Sequence, residues 1–268
     1  IYFEHCDLFP RLMPWKKFHV DIRTLAVTDN EGLNKAKDEK LKKSLKYFKS
    51  ISFISKGVKQ KVSLNIKNQY ILPLGSDIIS EKLKDWTSIR LLYVGTLTHR
   101  EILKTVQGLK MYIDESKKNL ISYDIIGDGA DLNLIADYIS QNGLSGTVRL
   151  HGRIAYDGLK PYFEKCNVGV SFIPIEDCYQ YQPPTKTFEY ILSGMYCIAT
   201  KTIANKEVVS SANGILIEDT PKDFCESLNL IEQKIKLLDS RNIRQTLVDE
   251  YTWRAIVSKY LFPIIENL

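Results

Sequence analysis

Residues 179–194 read YQYQPPTKTFEYILSG and separate two strand-like runs, VGVSFIP at 168–174 and YCIAT at 196–200. The stretch predicts a helix over 185–193 whose N-terminus lies at the carboxyl edge of a parallel sheet, where open α/β sheets bind ligands. A helix N-terminus offers N–H groups and the positive end of a dipole to an anion such as a phosphate. Glu189, near the middle of this helix, is a carboxylate that could hold sugar hydroxyls.

Strands and helices alternate regularly around this stretch. Alternating β and α elements predict an α/β fold with a parallel sheet that is wound on both faces by helices. Strands are predicted at 90–94, 121–126, 148–150, 168–173 and 208–217, and helices at 102–117, 131–142, 156–165 and 221–238.

The first 87 residues follow a different pattern. Residues 1–75 predict the tail of another α/β unit, and the polar residues 76–87 predict a linker. The chain opens on strand-like residues at 1–3 instead of Met, and we expect that the start of a larger protein precedes them. Within this region we predict helices at 35–49 and 56–66 and strands at 51–54 and 70–73.

Charge is distributed unevenly along the 268 residues. Residues 1–70 carry 15 Lys/Arg against 7 Asp/Glu, and the remainder carries 22 against 25. A basic region next to a near-neutral one indicates an anionic partner, such as a membrane surface or a polyanion. A solvated lysine-rich helix at 35–49 is the simpler explanation of the same charges.

The sequence lacks the motifs that are typical of several other classes of protein. The five cysteines form no C-x-x-C pair and no zinc spacing, which favours a reducing cytoplasm over a disulfide scaffold. No apolar run approaches the length of a membrane span, and no signal peptide is present. The sequence contains no P-loop, G-x-S-x-G elbow or EF-hand, and no basic–aromatic array of the nucleic-acid-binding type. His99 and His151 follow predicted strands, but no carboxylate cluster accompanies them to indicate a metal.

Glycines end three of the predicted strands. The turn 95–100 could direct helix N–H groups at a phosphate that Arg100 neutralises, or it could be an ordinary loop with a surface arginine. The segment Gly127-Asp128-Gly129 matches half of a dinucleotide fingerprint, but Leu132 occupies the third glycine position, which favours a tight turn over a nicotinamide site. At 152–154, a flexible glycine could let the backbone approach a flat base, or it could form a simple turn.

Taken together, these pieces resemble a known family. Residues 88–252 look like the C-terminal, donor-binding domain of a GT-B glycosyltransferase of the retaining group 1, or family 4, type. Residues 253–268 resemble that family's terminal helix, which packs back on the N-terminal part, and 1–75 resemble the second half of the acceptor-side domain. Both domains would be Rossmann-like. The matching segments are YVGTL (93–97), IIGDG (125–129), VRLHG (148–152), CNVGV (166–170) and PTKTFEY (184–190).

The resemblance implies transfer of a hexose from a nucleotide-diphosphate sugar, UDP- or GDP-linked, to a glycan or lipid-linked acceptor. It implies retention at the anomeric carbon, a role in surface polysaccharide biosynthesis, and no cofactor or metal beyond the donor substrate. The enzyme would work in the cytoplasm, where its basic region could make peripheral contact with the inner face of an anionic membrane. No nucleic acid is implied as a partner.

The resemblance also assigns roles to residues. Arg100, Lys186 and Glu189 would act in catalysis, the first two on the diphosphate and Glu189 on the ribose hydroxyls. His5 would be a candidate beside the donor sugar, although its register is off by one residue. The donor-binding set would comprise Gly95, Thr96, Gly127, Gly129, Arg153, Ile154, Tyr181, Pro184, Thr185, Thr187 and Glu189.

Two positions depart from the family pattern. The family often has two glutamates seven residues apart, and the first of them, which touches the transferred sugar, falls on Tyr181 here. The basic residue that directly follows the first glycine in the family is Thr96 in this chain.

Other functions are compatible with the same architecture. A sugar-nucleotide 2-epimerase would release an isomerised donor, but it would need acidic and histidine groups near the sugar that we do not find. An inactive sugar-nucleotide-binding subunit of a polysaccharide assembly complex would bind donor without turnover. The incomplete glycine fingerprint disfavours an NAD-dependent oxidoreductase.

Overall fold

The computed structural model of the chain describes residues 7–28, 30–116 and 121–267. The strand-like start at 1–3 and the candidate residue His5 lie outside the described residues. The strands are β1 (His19–Ile22), β2 (Ser50–Phe53), β3 (Asn68–Ile71), β4 (Ile89–Val94), β5 (Ile121–Ile126), β6 (Val148–Leu150), β7 (Val168–Ser171), β8 (Tyr196–Thr200) and β9 (Gly214–Ile217).

Helices connect these strands. They are α1 (Leu8–Leu12), α2 (Glu31–Leu45), α3 (Lys56–Val62), α4 (Ile102–Ser116), α5 (Leu132–Gln141), α6 (Lys160–Lys165), α7 (Thr185–Leu192), α8 (Ile203–Lys206), α9 (Pro221–Lys234), α10 (Ser240–Tyr251), α11 (Trp253–Ile256) and α12 (Phe262–Glu266).

The chain forms two compact units. The first unit consists of Ile1–Gly75, Glu176–Pro183 and Trp253–Leu268, and the second consists of Ser76–Ile175 and Pro184–Thr252.

The first unit contains a three-stranded parallel sheet in the order β1-β2-β3. Its central strand β2 is buried along its whole length, because helices cover it. Helices α2 and α3 begin at side-chain caps: Asn30 accepts from the Leu33 N–H at the start of α2, and Ser55 accepts from the Val58 N–H at the start of α3. The core of this unit is formed by Ile22, Leu41, Leu45, Phe48, Ile51, Phe53, Ile54, Val58 and Val62.

The second unit contains a six-stranded parallel sheet in the order β6-β5-β4-β7-β8-β9. The predicted doubly wound parallel sheet is therefore confirmed. The strand order runs outward from β4 in one direction and then outward from β7 in the other, so the topology reverses between these two strands. Ligands of open α/β sheets bind outside the carboxyl ends of the strands at such a switch point.

Some element boundaries differ from the predictions. The helix predicted at 156–165 is divided into a short 3-10 turn at Tyr156–Gly158 and α6, which has a proline in its first turn. The strand predicted at 208–217 begins only at Gly214. The preceding residues form a turn in which the Asn213 side chain accepts from the Ser210 N–H at 2.8 Å.

The polar segment 76–87, predicted as a linker, is part of the second unit. The Lys84 N–H donates to Ser240 Oγ at 3.0 Å, and the Lys84 amine donates to the Phe163 carbonyl. Burial lowers the pKa of this lysine to about 8, and the nearby charge of Arg244 adds to the effect.

Candidate functional site

The three glycine turns lie side by side beyond the ends of β4, β5 and β6. The Gly95 N–H donates to the Ile126 carbonyl at 2.9 Å, and the Gly127 N–H donates to the Gly152 carbonyl at 2.8 Å. Backbone hydrogen bonding between neighbouring segments thus continues beyond the carboxyl ends of the strands. The structure brings the three predicted turns together on the carboxyl side of the sheet.

The glycines of the middle turn allow close backbone packing. A Cβ atom on Gly127 would clash with the Gly95 carbonyl oxygen, and one on Gly129 would lie 2.5 Å from the Thr98 nitrogen. The N–H of Ala130 donates to Thr98 Oγ1 at 2.9 Å. These turns therefore support one another, and the tight-turn interpretation of the G-D-G segment fits this geometry better than a nicotinamide site.

The first turn holds Arg100 between two residues in a left-handed conformation. His99 and Glu101 each have a φ of 52°, and only one other non-glycine residue among those described, Ser63, has a positive φ. Such conformations cost about 1–3 kcal/mol each and cluster at functional sites. The strain fixes the backbone at the position from which the Arg100 side chain leaves, just before α4.

Helix α7 begins directly after two prolines. Pro184 has an extended conformation, and no side chain among the described residues caps the helix start. Because a proline disfavours the helical conformation of the residue before it, α7 cannot extend further toward the N-terminus. The first turn of α7, which begins at the exposed Thr185, therefore presents backbone N–H groups and a positive dipole end.

Lys186 links the first turn of α7 to the end of β4. Its Nζ atom lies 4.0 Å from the centroid of the Tyr93 ring, and a Cβ on Gly95 would be 3.3 Å from that atom. Burial, and to a smaller extent the charge of Arg100, lower the pKa of Lys186 to about 7, against smaller opposing effects of Cys197 and Glu189. Arg100, in the turn after β4, thus interacts electrostatically with Lys186 in the first turn of α7, and two cations near a helix N-terminus favour an anion.

Glu189 lies one turn further along α7 and is half-buried. Burial raises its pKa, the charge of Asp77 raises it too, and the charge of Lys186 opposes them. Burial also raises the pKa of Tyr156, and the negative charges of Glu189 and Asp77 raise it too. Two groups that the sequence analysis missed, Asp77 and Tyr156, therefore interact electrostatically with Glu189. Neither carries a sequence signal, because Asp77 falls in the predicted linker and Tyr156 in a predicted helix.

The resemblance implies that Thr187 binds phosphate, but the structure does not place its side chain where it could do so. Its side chain is fully buried, and its hydroxyl bonds Ser171 Oγ at 2.6 Å and Asn205 Oδ1 at 3.2 Å. Its N–H donates to the Pro184 carbonyl at 3.1 Å. Thr187 therefore attaches α7 to β7 and α8, whereas Thr185 is the threonine that faces solvent.

The turn after β6 carries Gly152, which has a φ of 65°, followed by the exposed Arg153 and the half-buried Ile154. His151, the residue before Gly152, is held by the buried carboxylate of Asp124: its Nε2 lies 2.7 Å from Asp124 Oδ1. Burial acts to raise the pKa of Asp124, but hydrogen bonds from Lys165 and His151 outweigh it and lower that pKa. His151 is therefore a structural residue that anchors this turn.

Two further predicted residues are Tyr181 and Thr96. Tyr181 belongs to the first unit, where its ring packs against the hydrophobic core. Thr96 is exposed and lies in the first turn, where its carbonyl accepts a hydrogen bond from the Tyr93 hydroxyl at 2.6 Å. Within the described ranges, no group of three or more His, Cys, Asp or Glu residues is arranged to hold a metal ion.

Residues 88–233, more than half of the chain, match the sequence profile of the family Glycosyl transferases group 1. The chain belongs to this family, and the resemblance drawn from its five segments is confirmed. It is 26% identical over 204 residues to an uncharacterized glycosyltransferase of Methanocaldococcus jannaschii, in a match that takes in 72% of this chain and 51% of that protein. The chain thus spans about half the length of the curated relative that it matches.

Solved structures show the same fold. Sucrose-phosphate synthase from Thermosynechococcus elongatus superposes with a TM-score of 0.75 at 15% identity, over 96% of this chain and 69% of that one. Anabaena HepE in complex with UDP and glucose gives a TM-score of 0.77 at 12% identity, over 96% of this chain and 73% of that one. At these identities the likeness establishes the fold alone, which is the GT-B type.

Proposed function

We propose that the second unit binds a nucleotide-diphosphate sugar, UDP- or GDP-linked, and that the protein transfers its hexose with retention to a glycan or lipid-linked acceptor in surface polysaccharide biosynthesis. The observation that carries this proposal is the electrostatic interaction of Arg100 with Lys186 at the uncapped start of α7, at the switch point of the sheet. Membership in the glycosyltransferase family and the UDP and glucose bound by HepE support the choice of ligand.

The arrangement suits the charge changes of glycosyl transfer. As the bond between the anomeric carbon and the phosphate oxygen breaks, negative charge grows on the leaving diphosphate while the sugar becomes oxocarbenium-like. Preorganised N–H groups and cations stabilise such developing charge. The N–H groups at the start of α7, the Lys186 amine and the Arg100 guanidinium would do so here. The acceptor oxygen then bonds to the anomeric carbon on the same face, and its proton passes to an oxygen of the leaving diphosphate.

The remaining groups would hold the nucleoside. The Glu189 carboxylate would accept hydrogen bonds from the ribose hydroxyls, since it lies on the same helix as the diphosphate-binding turn. Gly95, Gly127 and Gly129 would keep the turns compact enough for backbone to approach the ligand, and Arg153 and Ile154 would line the base. Asp77 and Tyr156, which interact electrostatically with Glu189, extend this polar region.

The acceptor side would make peripheral contact with an anionic membrane that carries the acceptor. In the first unit, Phe9 and Trp15 are exposed apolar side chains, and the exposed Lys16 and Lys17 follow Trp15 directly. Aromatic and basic side chains together suit a membrane–water interface with anionic lipid. None of the described helices is long and apolar enough to cross a membrane.

Calorimetric titration of the chain with UDP, GDP and ADP tests the donor site. We expect micromolar binding of one nucleotide and loss of that binding in Glu189→Ala. The matched control is Glu226→Ala, which removes an exposed glutamate of α9 that pairs only with Lys222 in the ion pairs described, at 3.7 Å. Equal affinities of the Glu189→Ala variant and the wild-type chain would reject the proposed ribose contact, and absence of binding by any nucleotide would reject the donor site.

One observation favours a second candidate, a subunit that binds nucleotide sugar without turnover. Tyr181 stands where the resemblance implies a glutamate that touches the transferred sugar. Such a subunit would bind donor with the same residues but release no nucleotide diphosphate in the presence of acceptor. Assays of donor binding and of diphosphate release on the same preparation distinguish the two candidates.

A further inference from the structure

Tyr93 is a fully buried aromatic residue near the end of β4 that contacts two parts of the candidate site. Its ring face lies next to the Lys186 amine, with 4.0 Å between Nζ and the ring centroid. Its hydroxyl donates to the Thr96 carbonyl at 2.6 Å. One side chain of the second unit therefore touches both the first turn of α7 and the turn that follows β4.

These contacts bring the amine and the turn together. A Cβ atom on Gly95 would lie 3.2 Å from the Tyr93 hydroxyl oxygen and 3.3 Å from Lys186 Nζ. Glycine at this position thus leaves the space beside the ring to the amine. The turn is also held by its neighbour after β5, since the Leu97 N–H donates to the Asp128 carbonyl at 2.9 Å. The amine therefore lies beside a turn whose backbone is fixed.

The stem of Lys186 starts from a face of α7 that packs on the sheet. Lys186 and Tyr190 are four residues apart, so they lie on the same face of the helix. The Tyr190 hydroxyl accepts a hydrogen bond from the Val94 N–H at 2.9 Å, and a Cβ atom on Gly169 would clash with the Tyr190 ring. This face of α7 is thus fixed against β4 and β7, and it directs the Lys186 side chain at the Tyr93 ring.

The Tyr93 ring face favours a charged amine at this place. Neither a hydrogen bond nor an ion pair of the Lys186 amine is present among the described residues. The face of an aromatic ring is negative and attracts a cation, more strongly where water is excluded. Burial and the charge of Arg100 act against the charged amine, so the ring opposes both effects.

We propose that Tyr93 is a positioning residue that holds the Lys186 amine in its charged form over the ring and beside the turn after β4. This inference rests on the proposed function, because the amine and the turn are groups that would meet the diphosphate. The tyrosine acts through Lys186 and through the Thr96 carbonyl, and it contacts no nucleotide. An arriving diphosphate then meets a cation that is already in place, so less of the interaction energy is lost in ordering it.

The first measurement uses the ligand-free chain with carbon-13-labelled lysine, in which Lys186→Met assigns the Lys186 signal by its loss. Protons above the face of an aromatic ring are shifted upfield. The Cε protons of Lys186 should therefore resonate upfield of the other lysine signals in the wild-type chain and in Tyr93→Phe, but not in Tyr93→Leu. The carbon shift follows protonation of the amine, and its midpoint should move to lower pH in Tyr93→Leu because the ring no longer favours the charged form.

Tyr93→Phe and pentafluorophenylalanine at the same position form a matched pair for the second measurement, nucleoside diphosphate affinity against pH. The two rings have nearly the same shape, but fluorine removes the negative charge from the ring face. We expect the fluorinated variant to bind about tenfold more weakly at about pH 8 and equally at about pH 5.5. At the lower pH the amine is protonated in both variants, whereas at the higher pH it loses its proton more readily beside the fluorinated ring.

Tyr123→Leu is the control for loss of a buried ring. Tyr123 lies on the neighbouring strand β5, is fully buried, and bonds Thr105 Oγ1 through its hydroxyl at 3.0 Å. This variant should leave the Lys186 signal and the pH dependence of affinity unchanged. The other groups that act on the amine, Arg100, Glu189 and Cys197, are the same in every Tyr93 variant, and so is the ionisation of the ligand.

A role in packing alone predicts a loss of affinity that does not depend on pH. Such a loss, equal affinities of the matched pair at about pH 8, or the same Lys186 signal in Tyr93→Leu as in the wild-type chain would overturn the proposal. If Tyr93→Leu does not fold, the matched pair still decides. If the wild-type chain binds no nucleotide, the proposed function fails, while the lysine signals of the matched pair in the ligand-free chain still decide whether Tyr93 holds the charged amine.

Discussion

The Lys186 amine is the group in the candidate site whose charge state is set most strongly by its surroundings. Burial and Arg100 lower its pKa from 10.5 to about 7, so near neutral pH this amine is only partly protonated. An arriving diphosphate would restore the usual preference for the charged form, since an opposite charge raises the pKa of an amine. The bound state would then hold more protons than the separate partners above pH 7.

This linkage predicts that nucleoside diphosphate affinity falls as pH rises from about 7 to 9, with a slope of up to about tenfold per pH unit. Calorimetry in buffers with different ionisation enthalpies should detect proton uptake near pH 8. Lys186→Met should abolish both the uptake and the slope, whereas Lys222→Met on the exposed side of α9 should leave them intact. A wild-type affinity that stays constant over this pH range would contradict the prediction.

Substitutions of the two threonines in the first turn of α7 should differ in their effect on the free energy of unfolding. Thr187→Val keeps the shape of the side chain but leaves the Ser171 hydroxyl and Asn205 Oδ1 without their partner inside the protein. We expect a loss of unfolding free energy of about 1–3 kcal/mol, measured by denaturant titration. Thr185→Val is the matched control, because Thr185 is exposed and its replacement should change stability by less than about 0.5 kcal/mol. Equal stabilities of the two variants would show that the buried hydroxyl contributes nothing.

At the scale of elements, the second unit depends on how tightly its turns are packed. Gly127→Ala places a methyl group against the Gly95 carbonyl, which is backbone and cannot move without shifting β4. We expect a loss of unfolding free energy of about 3 kcal/mol or more. Gly143→Ala is the control: its φ is also positive, at 67°, but nothing lies within 4 Å of its added Cβ, so only about 1 kcal/mol should be lost. Thermal unfolding of both variants measures the difference, and similar losses would mean that φ alone matters.

The elements that sequence reasoning located well are those with continuous apolar runs. The predicted strands 121–126, 148–150 and 196–200 agree with β5, β6 and β8, because the strands of a parallel sheet covered on both faces must be apolar throughout. Helix α10 was not predicted, since its sequence is mostly polar and Ile243 and Leu247 are its only large buried apolar residues. Its start signal, Asp239, accepts from two N–H groups and could have been recognised as a cap.

The residues of the candidate site also differ in how well the sequence predicts their positions. Arg100, Lys186 and Glu189 follow strands or lie on a helix whose position the pattern fixes, so their proximity could be anticipated from the topology. The electrostatic effect of Asp77 on Glu189 could not be anticipated, because Asp77 lies in a polar segment whose place within the second unit the sequence does not indicate. The burial of Thr187 was equally inaccessible, since a helix of eight residues does not reveal from its sequence which side faces the sheet.

At the scale of the whole molecule, the uneven charge distribution has a measurable consequence. The excess of basic residues lies in the first 70 residues, where Phe9 and Trp15 are exposed and the exposed Lys16 and Lys17 follow Trp15. Vesicles with anionic lipid should therefore bind the chain, and binding should weaken as salt rises, because screening shortens the reach of these charges.

The variant Lys16→Glu/Lys17→Glu should reduce this vesicle binding by about tenfold or more, since each lysine near an anionic surface contributes about 1 kcal/mol. The matched control is Lys160→Glu/Lys222→Glu, which makes the same change in net charge at two exposed positions of the second unit. If the two double variants bind equally less well, net charge alone drives the association. If neither loses binding, or if binding of the wild-type chain is insensitive to salt, the proposed membrane contact through this basic and aromatic region is wrong.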